Sequence, residues 1–128
     1  MKKIIVLTTI LFSLSILLIA QNNNSMTSKS EYIEIAKFQL KAGFSDEQFL
    51  QAEQTVRKGI IKDTKGYIGR ELFKNENNEW TVILRYDTKE NMDALLALLK
   101  KNLHPSFQDY ASMIDFSTMR KEFLFKKI

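Results

Sequence analysis

Residues 67–86 read YIGRELFKNENNEWTVILRY, and the fold follows from how this stretch divides. Asn75-Glu76-Asn77-Asn78 is a polar turn between two strand-like runs, the pattern of an antiparallel hairpin. In the second run Trp80, Val82, Leu84 and Tyr86 point one way and Thr81, Ile83 and Arg85 the other, because side chains alternate along a strand. One helix signal and one strand signal lie on each side of the hairpin, so it is expected at the centre of a sheet.

Working towards the N-terminus, Asp63 to Gly66 is a turn, and before it Phe49, Ala52, Val56 and Ile60 recur at helical spacing. The helix they define begins at a capping box of Ser45 and Gln48 and runs to about Lys62. Ala42-Gly43 separates it from a strand over Glu31–Leu40, which places Tyr32, Ala36, Phe38 and Leu40 on one face and Ile33 and Ile35 on the other. Towards the C-terminus, Asp87 and Thr88 can cap a helix from Lys89 to about Leu99 whose apolar face is Met92, Leu95, Leu96 and Leu99. His104-Pro105 interrupts that helix, since proline disfavours a helical residue before it and suits the first position of a new one. A short helix follows to about Ile114, carrying Phe107, Tyr110 and Ala111, and a last strand spans Thr118 to Lys126.

The order is strand, helix, strand, strand, split helix, strand. It predicts an α+β, ferredoxin-like βαββαβ sandwich with helices on one face of an antiparallel sheet. The other face ought then to be polar. Yet Ile33 and Ile35 on the first strand, Ile83 on the third, and Met119, Phe123 and Phe125 against Leu124 on the fourth give both faces apolar residues. The simplest cover for a second apolar face is a second copy, so a face-to-face homodimer is expected, with a monomer as the alternative.

Residues 1–20 have the form of a signal peptide: basic Lys2 and Lys3, an apolar run from Ile4 to Ala20, and small Ala20 before the polar Gln21-Asn22-Asn23-Asn24. Cleavage after Ala20 would send the protein to the periplasm or out of the cell. The alternative is an uncleaved N-terminal helix that anchors it to the membrane. Residues 21–30 read as a flexible linker, and 31–128 as the one folded domain. With no cysteine, neither a lipoprotein's cysteine-linked lipid nor a disulfide is expected. The net charge is +4, of which Lys2 and Lys3 supply two, too little to suggest nucleic acid.

Three stretches carry a resemblance: Phe38-Gln39-Leu40-Lys41-Ala42-Gly43 before the first helix, Lys65-Gly66-Tyr67-Ile68-Gly69-Arg70-Glu71-Leu72 opening the second strand, and Trp80 to Tyr86 leading into Asp87-Thr88-Lys89-Glu90. Over about Tyr32 to Phe125 the chain resembles the antibiotic-biosynthesis-monooxygenase-like (ABM) group of dimeric α/β-barrel proteins. The resemblance implies a dimeric barrel with a ligand cavity between sheet and helices in each subunit. It also implies an activity among cofactor-independent monooxygenases of aromatic compounds, haem-degrading enzymes or members without an assigned reaction. Where that group often has tryptophan at the end of the third strand this chain has Tyr86, and His104 is the one candidate for its helical histidine. The haem-degrading branch uses an asparagine on the first strand, and none lies between Glu31 and Leu40.

A lone histidine rules out any two-imidazole metal site, and no metal or cofactor is expected. His104 has two readings: a general base tuned by Phe107 and Tyr110, or the cap of the Pro105 helix. Trp80, Tyr86, Phe107, Tyr110 and Phe38 either line an aromatic pocket or are core. Mid-strand Arg70 and Arg85 need partners, either carboxylates such as Glu71 or Glu122 across a dimer interface, or an anionic ligand. The expected function is an exported protein that binds a small apolar or aromatic molecule and oxidises it without a cofactor. In that scheme His104 deprotonates the substrate, Tyr86 and Tyr110 orient it, and the carbanion reacts with oxygen. A non-catalytic cell-envelope module is the alternative, and haem binding a third reading.

Overall fold

The structure, a computed structural model, describes residues 30–101 and 104–127; the expected signal peptide and nearly all of the linker lie outside them. Among the described residues no helix is long and apolar enough to cross a membrane. The elements are β1 (Tyr32–Leu40), α1 (Asp46–Val56) continued by a π-helical turn (Arg57–Ile61), β2 (Tyr67–Lys74), β3 (Trp80–Tyr86), α2 (Lys89–Lys101), α3 (Pro105–Ser112) and β4 (Ile114–Phe125). All neighbouring strands are antiparallel in the order β2-β3-β1-β4, the α+β ferredoxin-like sandwich expected from the pattern. The hairpin is off-centre, however: β3 and β1 are the inner strands and β2 is an edge. The crossover through α1 carries the chain past the site of β3, which then pairs with β1.

The helix boundaries follow their sequence signals. Ser45 Oγ accepts from the Gln48 N–H at 3.2 Å while Gln48 Oε1 accepts from the Ser45 N–H at 2.8 Å, so the capping box is closed. Past Val56 the helix widens, with the Lys62 N–H donating to the Arg57 carbonyl at 2.9 Å. That five-residue step advances the buried stripe by one position. Ile61 is therefore in the core with Phe49, Ala52 and Val56, and Ile60, the expected member, is only half-buried. At the other end of the chain β4 starts four residues earlier than expected. Asp115 Oδ1 accepts from the Ser117 N–H, and Thr118 Oγ1 accepts from the Gln39 N–H, which hold a bulge between the Lys37–Arg120 and Gln39–Asp115 pairs.

Registers correct the assignment of the outer face. Phe123 and Phe125 stand opposite Glu34 and Tyr32, Phe123 stacked on the Tyr32 ring and Phe125 tilted against it, so both are on the helix side of the sheet, as is Met119, which packs against the core. Leu124 stands opposite Ile33 and Phe73 opposite Thr81, so Ile33, Ile35, Phe73, Ile83 and Leu124 are apolar residues of the outer face.

Gly66 joins the π-helical turn to the sheet with φ +83°, and a Cβ there would collide with Asp87 Oδ1 and stand 2.6 Å from Asn91 Nδ2. Those two side chains are hydrogen-bonded at 2.8 Å where α2 begins. Gly66→Ala is expected to lower stability by about 2 kcal/mol or more, the left-handed backbone contributing roughly 1–2 kcal/mol. Gly43, at φ +94° with open space around it, is expected to carry the backbone contribution alone. Urea denaturation of the two variants measures the difference.

Candidate functional site

Small side chains open the interior where α2 and α3 cross the sheet. Ala36 in the middle of β1 and Ala111 on α3 leave room for a cavity of about 420 Å³. Its floor is Glu34, Ala36 and Phe38 of β1 with Val82 and Leu84 of β3, and its roof is Leu96 and Leu99 of α2 with Phe107 and Tyr110 of α3. Phe116 and Met119, pushed out by the β4 bulge, form one wall. A mostly apolar cavity with a few fixed polar groups is the common form of a small-molecule site.

The polar groups are held by a network that begins on α1. Glu53 falls at helical spacing from Phe49 and is 2 % exposed, so its carboxylate points into the core and needs cations. It has two: Arg57 Nη2 lies 3.0 Å from Oε2, and Arg70 Nε donates to Oε1 at 2.7 Å. Arg70 reaches this position because β2 carries an extra residue at Ile68: Tyr67 pairs with Tyr86, Gly69 with Arg85 and Arg70 with Leu84. Tyr67 and Arg70 thus share the helix-facing side. Arg70 Nη2 also donates to the Tyr110 hydroxyl oxygen at 2.8 Å, and both Arg70 and Tyr110 line the cavity. Burial pushes the Tyr110 pKa up, against the pull of the adjacent guanidinium.

Glu34 is the other buried carboxylate, 6 % exposed, on the cavity floor. Its Oε2 has no hydrogen-bond partner in the structure. Lys121 Nζ lies 3.8 Å away, beyond hydrogen-bonding distance, on a side chain that is itself exposed.

The expected site residues separate. Phe38, Phe107, Tyr110 and Arg70 meet at the cavity. Trp80 and Tyr86 are on the same face but buried elsewhere. Trp80 packs on Phe49 at 4.9 Å under α1, and Tyr86 hydrogen-bonds Thr64 and packs against Tyr67 at the far end of the sheet. Burial raises the Tyr86 pKa also. His104 caps α3, its Nδ1 accepting from the Ser106 N–H at 3.3 Å; it is exposed and outside the cavity lining. Arg85 and Arg70, expected to pair across a dimer, find carboxylates within one chain. Arg85 is held by Glu31 and Glu71, each at 3.2 Å, on the outer face, and Arg70 is on the opposite face. Glu34 and Glu53 were not among the expected residues. Both had a signal in the sequence, as carboxylates at the apolar spacing of β1 and of α1.

No protein-family model matches the chain, and neither does any curated protein. Solved structures do. A Bordetella bronchiseptica protein named for antibiotic biosynthesis monooxygenase is 13 % identical with a TM-score of 0.61, over 77 % of this chain and 98 % of its own. SnoaB of Streptomyces nogalater, a cofactor-independent oxygenase, is 13 % identical with a TM-score of 0.53, over 77 % of this chain and 93 % of its own. A Shewanella oneidensis protein is similar to the same degree, 13 % identical with a TM-score of 0.55. At such identities the likeness is one of fold: the chain has the fold of ABM-like proteins.

Proposed function

We propose that this chain, with the ABM-like fold, binds a small and largely apolar molecule, an aromatic one by our reading, in the cavity between the sheet and α2–α3. The observation that carries the reading is the cavity itself: Phe38, Leu84, Phe107 and Phe116 surround a space of about 420 Å³ into which Arg70, Tyr110 and Glu34 bring polar atoms. Cofactor-independent oxygenation of that molecule is the reaction we assign to it, supported by the likeness to SnoaB and to proteins named for antibiotic biosynthesis monooxygenase. The second reading, a binding module without turnover, is favoured by the placement of His104, whose Nδ1 is engaged at the start of α3.

Two features belong to the same proposal. A homodimer is supported by the apolar residues of the outer face, Ile33, Ile35, Phe73, Ile83 and Leu124, which a second sheet would cover. Export is supported by Lys2, Lys3 and the apolar run to Ala20. Native mass spectrometry of the protein purified from its own host tests the whole. The expected result is a dimer that begins at Gln21 and retains a small organic mass released on unfolding. An empty monomer would remove both the interface and the ligand. Incubating the retained compound with the protein under oxygen, then reading its mass, separates the oxygenase from the module.

A further inference from the structure

Resting on that reading of the cavity, the geometry points to Glu34 as the residue that selects the ligand: a neutral molecule with a hydroxyl or N–H donor on an apolar body, the donor meeting Glu34 Oε2. Buried carboxylate oxygens are nearly always hydrogen-bonded, because an unpaired one forfeits its solvation without replacement. Glu34 Oε2 is buried and accepts no hydrogen bond, Lys121 Nζ standing 3.8 Å away. The strands beside it supply no hydrogen bond: across β1 stand Leu84 on β3 and Phe123 on β4, the inward-facing neighbours along β1 are Tyr32 and Ala36, and Lys121 on β4 comes only to that distance. The cavity is the remaining direction, and Glu34 lines it.

Charge decides which kind of donor fits. Lys121 at 3.8 Å balances the Glu34 carboxylate, and Glu53 at 2.7 Å balances Arg70. Lys100, which also lines the cavity, is left as a positive charge beside the site. A cationic ligand would therefore meet net positive charge, whereas a neutral hydroxyl or N–H can donate to Oε2 without adding any. A hydrogen bond to a carboxylate is also stronger than one between neutral groups. The apolar walls fix the rest of the molecule, and the equally buried Tyr110 hydroxyl oxygen already accepts from Arg70, so the donor to Glu34 sets the orientation.

The test uses 1-naphthol, 1-methoxynaphthalene and the full-length protein, with binding read as a shift of the Met119 methyl resonance, since Met119 is on the cavity wall. Wild-type protein is expected to bind the naphthol about ten-fold or more tightly than its methyl ether. In Glu34→Leu that preference should vanish while the ether keeps its affinity within about three-fold. Glu34→Gln, closest in shape, should reduce the preference and guards against a folding defect in the leucine variant. Equal binding of both compounds to the wild type would overturn the role of Glu34 while leaving the cavity a binding site. A preference that survives in Glu34→Leu would overturn it as well. Binding of neither compound would remove the cavity reading and this inference together.

Discussion

Phe49→Ala is expected to destabilise the domain by about 3–5 kcal/mol, as large-to-small changes at fully buried aromatic positions do. Phe49 is 0 % exposed, and its ring touches three elements at once: Phe38 on β1 at 5.7 Å, Trp80 on β3 at 4.9 Å and Tyr110 on α3 at 5.3 Å. Removing it takes away the transferred apolar surface and leaves a void that three rigid rings cannot collapse into. The effect reaches the site, because Phe38 and Tyr110 are also cavity lining. Phe49→Leu, which retains most of the volume, is expected to cost about 1 kcal/mol. Equilibrium urea denaturation of the two variants checks both values. A loss under about 1 kcal/mol for the alanine variant would contradict the packing described here.

Arg70→Met is expected to lower stability by about 3 kcal/mol, because it leaves Glu53 with one cation where it had two and leaves the Tyr110 hydroxyl without its donor. The figure is at the low end for a broken buried pair since Arg57 remains. Arg70 is 8 % exposed and Glu53 2 % along their side chains, so this loss should be nearly independent of salt. The exposed Lys89–Asp93 pair should show the opposite, a small and screened contribution. Replacing both partners, Arg70→Met with Glu53→Met, is expected to be less damaging than the sum of the single changes, with a coupling of roughly 1–3 kcal/mol in a double-mutant cycle. Simple additivity would mean that the pair is not the unit drawn here.

The element order was legible because each segment carries one dominant period: alternation in β1 and β3, three- and four-residue spacing in α1 and α2, and local signals such as Ser45 with Gln48 at the boundaries. What stayed hidden is what two adjacent apolar residues or a single extra residue can conceal. Ile60 and Ile61 are interchangeable to a pattern, and only the π-helical turn decides that Ile61 is inside. The bulge at Ile68 similarly decides that Arg70 faces Glu53, and the Asp115 to Thr118 bulge hides the start of β4 behind a polar turn.

The site was half legible for the same reason. Phe107 and Tyr110 follow from helical spacing and Phe38 from alternation, and all three line the cavity. Trp80 and Tyr86 obey the same alternation, yet position along the strand matters as much as its face. Trp80 lies beneath α1, and Tyr86 packs beside Thr64 and Tyr67. Glu34 and Glu53 could have been found by asking which charged residues occupy apolar positions: Tyr32, Glu34, Ala36 and Phe38 share one face of β1, and Phe49, Ala52, Glu53 and Val56 share one face of α1. Their partners could not, since Arg70 reaches Glu53 from another element across 17 residues of sequence.

The cavity is the centre of this account, and methionine methyl NMR tests it most directly. Met119 lines the cavity, whereas Met92 and Met113 are buried in the core outside its lining. On titration with naphthalene, the Met119 methyl resonance, assigned with Met119→Leu, should shift progressively and saturate while those of Met92 and Met113 move little. A Met119 resonance that stays fixed at saturating naphthalene, or shifts of equal size at all three methionines, would contradict a ligand cavity between the sheet and α2–α3.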